Sequence, residues 1–440
     1  MRWIDQIKSR RSALLGLAGV VAGLLLFAAL AQAARAQAVQ EDPGALLAPG
    51  DASSFDNFGA ALAINGDWLA VGATGVDLEG ARNAGAVYLF QRQGGAWREV
   101  TRLLPDPAQV DGRFGSALAF DGDTLAVGAP YEYNPGSGNA SGAVYVFVRS
   151  RNNWSKYTRL AVTDGMPFDL FGGALALRGD TLTVGARAAD SPQGERDAGA
   201  VYILRRDGEA WRLQARLSAS DRRAFDHFGH ALAFAGDELL VGAPDVDAPG
   251  APNSGLVYRY RNTDAGWDEQ ERLTSQEIKA EARFGYAFSI DGDLLAVLAP
   301  QEYRPSAAMP SYAFAWESTF GVAHVYTRQG AGWEWQTRLV PEPVDDWNVI
   351  MPRTILVDVQ GHQARVALGG YSRGQIYTFE GSGENWKALP VIEVQSMSLV
   401  DGGALVGSAD QLLLASRLQD RPGMGADYLQ SSGVVLLADW

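Results

Sequence analysis

Asp56, Asp169 and Asp226 each stand one residue away from a Phe-Gly pair, and Asp111 and Glu281 lie one position further from theirs. Carboxylates repeated at one place can gather into a ring. Such a ring could hold a cation or a basic ligand, or supply the acid and base of a polysaccharide lyase or hydrolase. The plainer reading is that each carboxylate caps backbone amides where the chain turns into a strand. Histidine is scarce: His227, His230, His324 and His362 make up the whole set. His227 and His230 are three apart on an expected strand, which would send them to opposite faces. They are therefore not expected to share a metal ion, and no His-based catalytic site is expected. Cysteine is absent, which removes thiol chemistry, disulfides and Cys-bound metal.

Binding chemistry has a second source. The stretch QEYRPSAAMPSYAFAWESTF, residues 301–320, is rich in aromatics and includes Tyr303, Tyr312, Phe314 and Trp316. A shorter echo, YEYNPGSGNAS at 131–141, carries Tyr131 and Tyr133. Exposed aromatic side chains are frequent anchors for ligands. The alternative is that the long insert folds over itself as a plug. Arg178-Gly179-Asp180 has the form of an adhesion signal, but its counterparts are Asn65, Asp121, Ala235 and Asp291, each followed by Gly-Asp. It is therefore read as one copy of a recurring hairpin turn.

These residues are positioned by a repeat. FGAALAINGDWLAVGAT from Phe58 recurs as FGSALAFDGDTLAVGAP from Phe114, FGGALALRGDTLTVGAR from Phe171, FGHALAFAGDELLVGAP from Phe228 and FGYAFSIDGDLLAVLAP from Phe284. Each copy reads as two short strands joined by a tight turn. A third strand begins at Gly85, Gly142, Gly199, Gly255, Gly321 and Gly374, and a fourth carries Trp97, Trp154, Trp211, Trp267, Trp333 and Trp386. DGGALVGSADQLLLASR at 401–417 and GVVLLADW at 433–440 supply three strands of a further unit. The fourth is expected at Leu46-Leu47. One unit cannot bury its own faces, and stacking solves this. The fold expected is an all-β, seven-bladed β-propeller of four-stranded antiparallel blades, closed by an N-terminal strand.

The formal net charge is −14. That argues against a phosphate-binding surface, which would need clustered Lys and Arg, so no nucleic acid partner is expected, and an anionic membrane is disfavoured. The N-terminus reads as an export signal: MRWIDQIKSRR is basic, SALLGLAGVVAGLLLFAAL is apolar, and AQA follows at 31–33 and 36–38. Arg10-Arg11 has the form of a twin-arginine signal. An uncleaved anchor is the alternative. The domains expected are a signal peptide over 1–38 and a single propeller over 39–440, in an extracytoplasmic monomer.

The repeated Phe-Gly and Gly-Ala-Pro segments, complete at Phe114-Gly115 with Gly128-Ala129-Pro130 and at Phe228-Gly229 with Gly242-Ala243-Pro244, resemble FG-GAP repeats. These build the N-terminal propeller of integrin α subunits and many bacterial secreted proteins. The resemblance implies a propeller with ligands on the face that gathers the long loops. Many members also hold calcium in a D-x-D-x-D-G loop. Here that loop is a tight turn around Asp67, Asp123, Asp180, Asp237 or Asp293, too small for the six to eight oxygens calcium takes. No metal and no cofactor is expected. The function expected is non-catalytic binding of a protein or polysaccharide at the cell surface; the alternatives are an extracellular polysaccharide lyase or hydrolase and a structural envelope protein.

Overall fold

The computed structural model describes residues 46–439, apart from 54, 152, 304–319, 342–353, 370–372, 384, 396–397, 408–410 and 419–433. Every described strand belongs to a blade whose first strand is innermost and whose neighbours are antiparallel. The inner strands touch one another in sequence, and Phe58–Asn65 meets Ser398–Gly407 to complete a ring. Leu46 and Leu47 pair with Leu436 and Val435, taking the outer place of the last sheet.

The expectation of seven four-stranded blades is corrected by the count. Six four-stranded blades are found, and the sheet spanning 354–395 has five strands instead. Its outer strand is split into Asn385–Ala388 and Ile392–Gln395, both paired to Arg373–Ser382. The break falls at Leu389-Pro390. Proline has no N–H to give the ladder and is found in outer strands chiefly at ends, bulges and breaks, as here.

Backbone contact between blades explains why the repeats keep glycine. Gly185 lies so close to Gly229 of the next blade that an added Cβ would stand 2.2 Å from that residue's carbonyl oxygen. Gly199, at φ 88°, meets the backbone of Phe228 in the same way, and Phe228 N–H donates to the Ala198 carbonyl at 3.0 Å. The recurring Phe then drops into the gap between blades. Phe58, Phe114, Phe171, Phe228 and Phe284 are fully buried. Each meets the third-strand aromatic edge-on: Phe114 and Tyr145 are 5.2 Å apart, Phe171 and Tyr202 5.3 Å. A clamp closes several blades above this. Tyr258 and Arg272 both bind Asp221, at 2.9 and 2.6 Å, and Tyr145 and Arg159 both bind Glu132, each at 2.9 Å. The fifth blade replaces the tyrosine with His324, which binds Glu302 at 2.5 Å.

The Arg178-Gly179-Asp180 segment is a hairpin turn. Arg178 pairs with Thr181 across it, Gly179 N–H donates to Asp121 at 2.5 Å, and the Arg178 guanidinium donates to the Gly236 carbonyl. The tripeptide is thus joined to both neighbouring blades.

The fourth-strand tryptophans are not equivalent. Trp154 is buried, with Trp68 and Phe120 edge-on at 5.6 and 5.5 Å, whereas Trp211 is only half-buried. Trp154→Ala is expected to cost about 3–5 kcal/mol of stability. Trp211→Ala should cost clearly less. Equal losses in urea titrations would refute this ranking.

Candidate active site at the channel mouth

The first five blades are each approached through a turn that ends at Phe-Gly. In the fourth blade Phe225 and His227 have φ of 70° and 53°, with Asp226 between them. Asp226 accepts the Arg223 N–H at 2.6 Å. Asp56 and Asp169 do the same for Ser53 and Met166, at 2.6 and 2.8 Å. All three carboxyls are buried. Burial raises Asp56 above its ordinary range and lifts Asp169 and Asp226 to about 6; the bond from the backbone amide opposes this without cancelling it. These carboxyls therefore serve as caps, the plainer of the two sequence readings.

A raised carboxyl pKa gives a stability gradient with a definite sign. The neutral form is favoured in the folded chain, so this contribution is full below about pH 4 and is lost as pH rises through about 6. Asn at position 169 or 226 keeps an oxygen for the amide and never ionises. Asp226→Asn should therefore leave stability nearly unchanged near pH 3.5 and raise it by about 1–3 kcal/mol near pH 7.5. Thermal melts at the two pH values check this, and an equal shift at both would refute it.

The lead-in turn also corrects the reading of the histidines. The inner strand begins only at Ala231, so neither His227 nor His230 is in it. The alternation that would separate them does not apply. His227 Nδ1 lies 2.7 Å from Asp245 Oδ2, and Arg283 Nε lies 3.1 Å from Asp245 Oδ1. A carboxylate only accepts, so His227 carries a proton on Nδ1, and in the neutral ring Nε2 is the acceptor. Burial raises the Asp245 carboxyl, but the His227 bond and the Arg283 charge outweigh it and hold the group below the usual carboxylate range.

His230 belongs to the same neighbourhood. Its charge is coupled to His227, Asp245 and Arg187. Burial first, and Arg187 second, lower its pKa to about 4, so the ring is neutral near pH 7. Nδ1 sits 3.1 Å from the Tyr286 carbonyl, which can only accept; Nε2 is again the lone-pair nitrogen. The His230 and Tyr286 rings lie 4.5 Å apart at 44°. Three successive blades thus bring two imidazoles, a carboxylate and two guanidinium groups to one part of the rim.

The aromatic candidates fare differently. Tyr131 lies beneath Arg113, whose guanidinium carbon is 4.8 Å from the ring centre. Tyr133 is 50% exposed, and Gln109 holds its N–H and carbonyl at 2.7 and 3.1 Å. Tyr303 ends the strand Leu294–Tyr303 and pairs with Phe320. Tyr312, Phe314 and Trp316 lie outside the described residues. Asp245 and Arg187 were missed by sequence reasoning. The available signal was local: Asp245 directly follows the Gly-Ala-Pro of the copy whose lead-in turn carries His227, and Arg187 replaces that proline in the preceding copy.

FG-GAP repeats match residues 44–90, 97–147, 154–204 and 211–260. The first match takes in Leu46 and Leu47, which lie in the last sheet of the ring. No curated protein matches the chain. Among solved structures, the chain is similar to a periplasmic gluconolactonase from Pseudomonas aeruginosa, at 15% identity over 77% of this chain and 86% of that one, with a TM-score of 0.50. A putative 6-phosphogluconolactonase from Bacteroides uniformis matches at 11% identity over 77% and 86%, with a TM-score of 0.47. The first likeness is one of fold. The expectation of a chain that is not an enzyme is corrected to this extent: a propeller of the same fold bears the name of a gluconolactonase, so the fold gives that expectation no support. With four matched repeats standing in a ring of like blades, this chain is a β-propeller that carries FG-GAP repeats over residues 44–260.

Proposed function

We propose that this propeller is an extracytoplasmic hydrolase of ester or lactone bonds in carbohydrate-derived substrates, working at the channel mouth. The observation that carries the reading is the His227–Asp245–Arg283 chain beside the neutral His230. An imidazole oriented by a carboxylate is a general base for water. His227 Nε2 takes a proton from water as the water oxygen attacks the acyl carbon. Asp245 stabilises the imidazolium through Nδ1–H, and the imidazolium returns its proton to the leaving oxygen. Acyl transfer suits this base better than glycoside cleavage, which uses a pair of carboxyl groups placed across the bond.

The basic-then-apolar N-terminus with its two AQA segments supports an exported chain. Exposed Phe55, Phe168 and Phe225, at one place in three lead-in turns, favour a polymeric partner, polysaccharide or protein, held across the rim. The test is hydrolysis of p-nitrophenyl acetate, glucono-δ-lactone and a set of p-nitrophenyl glycosides. Turnover of the ester or lactone that disappears in folded His227→Gln supports the reading. Absence of ester and lactone turnover, or turnover that survives the substitution, would overturn it.

A further inference from the structure

The loop between the second and third strands of the fourth blade has a counterpart in the first blade with the same backbone. Asp247 accepts the Asn253 N–H at 2.9 Å, and Asp77 accepts the Asn83 N–H at 2.8 Å. Ala248 bridges Ala251 as Leu78 bridges Ala81. Gly255 N–H donates to Val246 and Gly85 N–H to Val76, both at 3.0 Å. The side chains diverge. In the first blade Leu78 and Leu104 are half-buried against the core. Their counterparts in the fourth blade are Ala248 and Thr274, and Ser275 replaces Pro105. Leu256 and Ile278 stand where the first blade has Ala86 and Ala108.

The result is a cavity of about 310 Å³, bordered by Ala248, Thr274, Ser275 and the Asp221–Arg272 ion pair, with Leu256 and Ile278 as an apolar wall. Arg223 and Asp247 also line it. Two acids and two arginines leave it close to neutral. The volume is at the small end of the range for ligand sites. Planar carboxylates and guanidinium groups can each bond two neighbouring hydroxyls, while the C–H face of a sugar ring rests on aliphatic side chains.

We propose that this cavity is a binding site for a neutral monosaccharide-sized polyol, formed where the fourth blade departs from the first at Ala248 and Thr274. It does not rest on the hydrolase reading. The experiment is calorimetric titration of the full chain with D-glucose, D-galactose, N-acetyl-D-glucosamine and the anionic D-glucuronate. At least one neutral sugar is expected to bind. The double substitution Ala248→Leu/Thr274→Leu copies the first blade and should weaken that binding tenfold or more. Ile278→Ser, at a 53% exposed residue, should weaken it several-fold with the fold intact. His227→Gln should bind the sugar as the unaltered chain does, which separates this site from the channel mouth. The proposal is overturned if no neutral sugar binds, if D-glucuronate alone binds, or if Ile278→Ser and the double variant bind like the parent.

Discussion

His227→Gln is expected to lower ester or lactone hydrolysis by about 10²–10⁴-fold, the usual contribution of a positioned acid–base group. His227 lies in the lead-in turn with its ring bonded to Asp245, and a Gln amide can donate to that carboxylate in its place. The melting curve should therefore stay where it was while kcat falls. Asp245→Asn should fall by a comparable factor. The carboxamide can offer the ring an N–H in place of a carboxylate oxygen, which favours the wrong tautomer and no longer stabilises the imidazolium. Tyr133→Ser, remote from both imidazoles in sequence and contacts, should leave turnover of a small ester unchanged. A His227→Gln enzyme with parental kcat would remove the general base from the scheme.

The largest loss of stability is expected at Gly199. A Cβ there would lie 2.1 Å from the Phe228 carbonyl oxygen and 2.4 Å from its nitrogen, and φ is already 88°. Both obstacles are backbone, so relief requires two blades to separate. Gly199→Ala should cost more than about 4 kcal/mol, in the range reserved for core overpacking combined with backbone strain. Gly179→Ala is the matched comparison. Its φ is 53° and nothing lies within 4 Å of the added carbon, so only the left-handed conformation is penalised, by about 1 kcal/mol. Chemical denaturation of the pair separates the two effects. Equal stability would mean that contact between blades is not what fixes Gly199.

The contrast between these glycines shows what the sequence reveals. Blades meet through backbone, so Phe-Gly, the glycine before the alanine of the second strand and the glycine opening the third strand recur openly. The repeat and its circular order are therefore legible. The clamp was legible too, since Tyr88, Tyr145, Tyr202 and Tyr258 stand at one constant spacing from Arg102, Arg159, Arg216 and Arg272. Its carboxylate was not, because it comes from before the blade at Asp221 and from within it at Glu132. The histidine site was missed for a related reason. Strand alternation was applied to His227 and His230, which lie four residues and one residue before the strand begins, and the partner of His227, Asp245, belongs to a separate loop. The split outer strand at Pro390 was a local signal, outweighed by the expectation of regular blades.

Pairing of Leu46 and Leu47 with the strand Val434–Asp439 also has a kinetic meaning. It joins the most distant parts of the described chain, so it carries the greatest loop-closure cost of any sheet contact. During synthesis the first strand has no partner until the last has emerged. Each earlier blade can stack on its predecessor, but the circle stays open and one sheet edge stays bare throughout. A chain built this way completes its fold in a single late step, and it reopens first at the same seam when pulled by its ends.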